Sequence, residues 1–270
     1  MNNYLHIICD YAPGDLAWAE VYSAFVANLP PSVRMHISSV NSFDTISTGF
    51  MVGQLALADE KLRPKDLLIF ANCAPRKDLK QARANNEGEG LLFATLKNGV
   101  QVLAVNSGYS LSFIKTSLHE LWSTNIEEQG SQFRSRDYFP QLVVSACAGD
   151  LAFIVHKLDP EQIIPAVPTG VIGYIDSFGN IKSTFRSSNS QIQNLGPGSR
   201  LRVRIGGVIR AATVATGSFN VLEGDLAFAP GSSGQLDRYW ELFKRGGSAW
   251  HEFEKPLTGT KIHIEVTDQQ

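Results

Sequence analysis

The stretch KLDPEQIIPAVPTG, residues 157–170, divides this chain more sharply than any other. It sets Pro160, Pro165 and Pro168 within ten residues. Each proline fixes φ and removes a backbone donor, so the stretch reads as a linker. Before it, strand-like and helix-like segments alternate; after it, the signals are strands. Alternation implies a mainly parallel sheet covered by helices on both faces. The sequence therefore predicts an α/β domain over 1–165, with its mainly parallel sheet between helices, and a smaller mostly β domain over 168–270.

In the first domain YLHIICD, VRMHISSV and DLLIFAN read as strands. DLAWAEVYSAFVANL reads as a helix capped by Asp15, its apolar face running through Leu16, Ala19, Tyr22 and Val26. TISTGFMVGQLALADEKL reads as a second helix. LLFATLKNGVQVLAVNSG predicts two strands about the turn signal Asn98-Gly99. LSFIKTSLHELW and the run after Asp137, QLVVSACAGDLAFIVHKL, complete the helices. In the second domain GVIGYIDSFGNIKSTF, DLAFAP and KIHIEV read as strands. RLRVRIGG alternates, with Leu201, Val203 and Ile205 facing inward.

The net charge is -2 and the arginines form no long runs, which argues against nucleic acid or an anionic membrane as partner. Hydrophobic residues at 43% and charged residues at 19% suffice for a core. Cys9, Cys73 and Cys147 are odd in number, widely spaced and without a CxxC pair. That points to a reducing compartment rather than to a disulfide framework or a zinc site. No basic segment precedes the apolar YLHIIC run, and no stretch is long enough to span a bilayer, so a cytoplasmic protein is expected. No histidine pair has metal-ligand spacing, and no metal is expected. The phosphate-binding glycine loops, the GxSxG elbow and HExxH are all missing.

What remains is a set of polar residues at the ends of elements. Asp10 ends the first strand, at the edge where open α/β sheets bind ligands. It either caps the turn made by YAPG or accepts from two neighbouring hydroxyls, as on a ribose. VNSGYS, around Asn106, lies at a similar edge, or is a plain strand-to-helix turn. APGSSGQL offers Ser232 and Ser233 in a loop whose N–H groups would cradle a carboxylate, or make a plain turn. QFRSRDYFP, residues 132–140, is either a capped helix start or one wall of a pocket for a charged small molecule.

Taken together these segments resemble the S-adenosylmethionine (SAM) hydrolase family, also called SAM hydroxide adenosyltransferases, which is related to the SAM-dependent fluorinases and chlorinases. CDYAPGD is similar to the family's T-D-F-G-x-x-D, keeping Asp10 and Asp15. SQFRSRD is similar to S-T-F-H-G-R-D, keeping Ser131, Phe133, Arg136 and Asp137. VNSGYSL resembles P-D-N-G-L-L through Gly108. YIDSFGNIKSTF is close to Y-I-D-x-F-G-N-x-x-T-N, and GSSGQL and RGGSA follow in the family's order. The resemblance spans nearly the whole chain and is most specific at Phe178-Gly179-Asn180.

It implies a homotrimer in which SAM lies between the α/β domain of one subunit and the β domain of its neighbour. Asp10 would hold the ribose hydroxyls, while Phe43, Asn106 and Phe133 line the pocket. Phe178 and Asn180 would stack on and hydrogen-bond the adenine, with Gly246 as a backbone contact and Arg245 beside it. Ser232 and Ser233 would hold the methionine amino-acid group. No cofactor is implied, SAM being the substrate. Methionine leaves as a neutral thioether, so the reaction needs alignment and desolvation of a nucleophile rather than a general acid.

The departures fall on the family's water-activating Asp–Arg–His set. Arg134 stands for the histidine, Ala74 for the aspartate (Asn72 in a shifted register), and Gln81 for the arginine, with Arg83 close by. A guanidinium is no general base at neutral pH. Ser135 replaces the family glycine and is similar to the halide-binding serine of the fluorinases, so Ser135 and Arg134 are expected to flank the nucleophile. Three functions follow from this pattern. One is displacement of methionine at the ribose C5′ by water, giving adenosine, or by another small nucleophile. A second is non-catalytic binding of SAM or adenosine. A third is an enzyme of the same fold acting on another nucleoside-bearing substrate.

Overall fold

The computed structural model describes residues 2–77, 80, 81, 88–126 and 131–268. Two compact units divide between Ala166 and Val167, inside the proline-rich stretch.

Unit 1 runs β1 (Tyr4–Cys9), α1 (Leu16–Asn28), β2 (Arg34–Ser39), α2 (Thr45–Ala56), β3 (Leu67–Asn72), β4 (Leu91–Leu96) and β5 (Gln101–Val105). A 3-10 turn (Ser112–Ser117), β6 (Leu118–Thr124), α3 (Arg134–Asp137), α4 (Phe139–Ala148), β7 (Ile154–Lys157) and α5 (Pro160–Ile163) follow. The seven strands order as β2-β1-β3-β5-β4-β6-β7. The first four pair in parallel, and β4, β6 and β7 extend the sheet antiparallel. All six residues of β3 are buried because both faces are covered. Leu67, Ile69 and Ala71 point into one apolar cluster, and Leu68 and Phe70 into the other.

Three sequence expectations need correction. The buried face of α1 is Trp18, Val21 and Phe25, not Leu16, Ala19, Tyr22 and Val26. Both sets have helical spacing, but the larger rings go inward, where Phe25 meets Phe70 at 5.7 Å. Burying a side chain of that size contributes about 1.5–3 kcal/mol, which decides the face. LSFIKTSLHELW is not a helix: it is a 3-10 turn followed by β6, which pairs with β4 on one side and β7 on the other. The run after Asp137 is helical only to Ala148. Gly149 then takes φ 83, and the remaining IVHK forms β7.

Unit 2 contains β8 (Ile172–Ile175), β9 (Ile181–Arg186), α6 (Ser190–Gln193), β10 (Arg200–Ile205), β11 (Val208–Val214), β12 (Leu226–Pro230), β13 (Tyr239–Lys244), α7 (Ala249–Glu252) and β14 (Ile262–Asp268). Its sheet orders as β14-β10-β11-β12-β13-β9-β8, antiparallel except for β11–β12. Val171, just before β8, bridges Lys261, just before β14, so the sheet curls until its edges meet. Strand β10 alternates exposed arginine with buried Leu201, Val203 and Ile205. Among the described residues no helix is long and apolar enough to cross a membrane.

Candidate functional site

Strand β1 is flanked by β2 on one side and β3 on the other, so the order of the sheet reverses there. Open α/β sheets bind ligands in the crevice beyond the carboxyl ends of strands at such a point. Here Asp10 follows β1 and Asn72 ends the adjacent β3, where Cys9 lies opposite Asn72. A cavity of about 490 Å³ opens above them, lined among others by Asp10, Phe43, Phe133, Arg134 and Ser135.

Each wall has a physical cause. The Asp10 carboxylate accepts from the Phe43 N–H at 3.0 Å. That bond helps hold Phe43 at φ 65, the left-handed region that a bulky residue rarely takes, and its ring is 57% exposed. Next to Phe43, Asp44 caps α2 by accepting from Ser47 N. Opposite, Ser135 is buried and its hydroxyl is a hub: Tyr11 donates to it at 3.0 Å and Asn72 Nδ2 at 2.9 Å. Burial holds the Tyr11 phenol above its ordinary pKa. Arg134 packs against Gly88, with one guanidinium nitrogen 1.9 Å from where a Cβ on Gly88 would stand. Its other side faces the Phe139 ring at 5.5 Å. Arg136 turns away, stacking on Phe133 at 5.1 Å and pairing with Asp137 and with Glu20 of α1. Arg136 first, then Ser131, hold the Asp137 carboxyl below its usual value.

FRSRD is therefore pocket wall and brace together, divided residue by residue. Asp137 does not begin the long helix; α4 starts at Phe139-Pro140 with no side-chain cap. Ala74, Asn72 and Gln81, the positions that the resemblance sets against the family's activating groups, also line the cavity. Arg83 lies outside the described residues. Sequence reasoning missed Tyr11, Arg76 and Glu89 on the same wall. Arg76 has φ 58, a strained backbone that only the fold exposes. Asn106 is elsewhere: it borders a crevice of about 10 Å³ with Ile163 and Pro165, too small for more than a water.

Unit 2 has its own cavity, of about 480 Å³, lined by Phe178, Asn180, Ser232, Arg245 and Gly246, with Phe219 besides. DSFGN forms the turn between β8 and β9. Asp176 accepts from the N–H groups of Phe178 and Asn180, both at 3.0 Å, and from Asn180 Nδ2 at 2.9 Å. The turn leaves the Phe178 ring 78% exposed. Phe219 is 82% exposed, with the Arg245 guanidinium 5.6 Å above it. Two such bare rings beside a cation suit a flat π-system. Gly246 takes φ 73, so its amide belongs to a tight turn. Ser232 borders the cavity, whereas Ser233 is buried behind it, its carbonyl accepting from Tyr239 N.

No family model matches the chain, and no curated protein matches it by sequence. Solved structures do match its fold. An uncharacterized conserved protein from Thermotoga maritima superimposes with a TM-score of 0.74 at 15% identity, covering 97% of this chain and 100% of that one. A conserved hypothetical protein from Thermus thermophilus gives 0.67 at 16% identity, covering 98% and 100%. The likeness is one of fold, over the length of both units.

Proposed function

We propose that the chain binds S-adenosylmethionine and displaces methionine at the ribose C5′, with water as the default nucleophile and adenosine as product. One observation carries this reading. The residues that the family resemblance assigns to the ribose and the nucleophile line one cavity of unit 1, and those it assigns to the adenine line one cavity of unit 2. Asp10 holds the ribose hydroxyls, Phe178 and Asn180 the adenine, and Ser232 the amino-acid end. Ser135 and Arg134 flank the nucleophile. In the proposed assembly, a homotrimer, the two half-sites come from neighbouring subunits. Three buried free thiols support a reducing, cytoplasmic setting; burial pushes Cys9 up to about 12 and Cys147 up to about 11, which keeps them unreactive.

The reaction moves few protons. The water oxygen attacks C5′, the C5′–S pair returns to sulfur as neutral methionine, and one proton leaves the water. Alignment supplies most of what such a displacement needs. The test is incubation of the protein with SAM, followed by chromatography for adenosine and methionine, with calorimetric titration of SAM alongside. Adenosine formed by the wild type and lost in Asp10→Ala supports the reading. Binding without product leaves a SAM-binding protein, and neither binding nor product ends the proposal.

A further inference from the structure

The cavity of unit 1 contains a carboxylate that the resemblance does not assign. Glu89 precedes β4 between Gly88 and Gly90, and it is one of the residues that line the cavity although it is only 4% exposed. Among the described residues no protein group donates to its Oε1. A buried carboxylate oxygen without a donor is expensive to keep, and it persists where a ligand or a reacting group meets it.

The other described carboxylates on the cavity wall are already committed. Asp10 accepts from Phe43 N, and the exposed Asp15 caps α1 by accepting from Ala17 N. Arg76 and Arg134 cannot accept a proton, and Tyr11 holds its own more firmly than usual. Ser135 is the acceptor for Tyr11 and Asn72. The segment carrying Glu89 is fixed on both sides. Gly88 lies against the Arg134 guanidinium, and the Gly90 carbonyl accepts from Asn106 N at 2.7 Å.

The geometry points to Glu89 as the general base that takes the proton from the attacking water, in the cavity that Arg134 and Ser135 also line. This inference rests on the proposed displacement at C5′. In the step, the water oxygen forms the bond to C5′ while the C5′–S bond breaks with its pair going to sulfur. The water proton passes to Glu89 and from there to solvent. The chain thus supplies from the start of β4 the carboxylate that Ala74 does not provide. Its negative charge also disfavours an anionic nucleophile at the same place, which inclines the site to water.

The experiment compares wild type, Glu89→Gln and Glu89→Asp in the full chain, with SAM, in water alone and with added azide. Azide has no proton to lose and would give 5′-azido-5′-deoxyadenosine. Removing a general base typically lowers the rate about 10²–10⁴-fold. Glu89→Gln should therefore lose adenosine formation by that factor in kcat while its calorimetric affinity for SAM is retained. Glu89→Asp should keep part of the activity. With azide, Glu89→Gln should be at least as fast as the wild type. Adenosine formed by Glu89→Gln at the wild-type rate overturns the assignment and leaves the proposed function standing. Parallel loss of hydrolysis, azide reaction and SAM binding makes Glu89 a structural residue and overturns it equally. A wild type that binds SAM without turnover has no base to assign. One that does neither removes the proposed function and the base together.

Discussion

Among the glycines of unit 2, Gly179 leaves the least room for a Cβ, and replacing it with alanine tests how the Phe178 turn is held. Its φ is +78, and a Cβ there would lie 2.0 Å from Ser248 Oγ and 2.9 Å from Ser248 Cβ. Two costs follow. The left-handed conformation costs an alanine about 1–2 kcal/mol. Relieving the clash means moving Ser248, whose side chain caps α7 by accepting from His251 N. Losing such a cap costs about 0.5–2 kcal/mol. Together Gly179→Ala should destabilise by about 1.5–4 kcal/mol. Urea unfolding followed by tryptophan fluorescence measures this, since Trp240 and Trp250 both lie in unit 2 and Trp250 N donates to Gly179 O at 2.8 Å.

A double-mutant cycle separates the two costs. Ser248→Gly alone should lose only a few tenths of a kcal/mol, because glycine is an acceptable N-cap. It also clears the space, leaving Ser248 Cα at 3.5 Å from the new methyl, an ordinary contact. In that background Gly179→Ala should cost only the backbone share, about 1–2 kcal/mol. Equal costs in both backgrounds would refute the clash. A loss below about 0.5 kcal/mol in the single variant, the level of an ordinary surface change, would refute the strain argument altogether.

Ser135→Ala should destabilise by about 1–3 kcal/mol in the same urea assay, because it leaves the buried Asn72 amide without its 2.9 Å acceptor; unchanged stability would mean that the hub is not needed. Stability should also fall on acidification through His6. Burial first, and His36 second, lower the His6 pKa to about 4. Neutral His6 is thus favoured in the folded state, and its contribution is full above the unfolded value near 6.5. It is lost as the pH falls from there toward 4, in total of order 1–3 kcal/mol. Thermal melts between pH 7 and 4.5 should show this slope flattened in His6→Gln, and an identical slope in that variant would exclude His6 as its source.

The pattern of alternation carried the fold better than it carried faces and ends. The all-apolar LLIFAN allowed a strand covered on both sides, and β3 is one. The alternation in RLRVRI had a single solution, with the arginines outward. Helix α1 had two apolar stripes of equal spacing, and only the pairing of Phe25 with Phe70 chooses between them. HELW forms a strand because β4 and β7 offer their edges to it, which no local signal contains.

The site divides in the same way. Motif residues that lie close in sequence were legible, as in FRSRD and DSFGN, because their spacing fixes their geometry. The resemblance sets Ala74, or Asn72 in a shifted register, against the family's aspartate and Gln81 against its arginine. Counting along the chain does not reach Glu89, which joins the same cavity from across the sheet. Strand β4 lies on the far side of β5 from β3, and the segment leading into it lines the same crevice that Asp10 and Asn72 begin. A faint cue was present in GEGLLFATL, one acid between two glycines directly before an apolar strand. Glycines let the chain approach closely, as Gly88 approaches Arg134, and a charge at the mouth of a fully buried strand has only a cavity or solvent to face. Glu89 is 4% exposed and belongs to the cavity's lining. Under the role proposed for Glu89, the residues at Ala74, Asn72 and Gln81 are compatible with turnover.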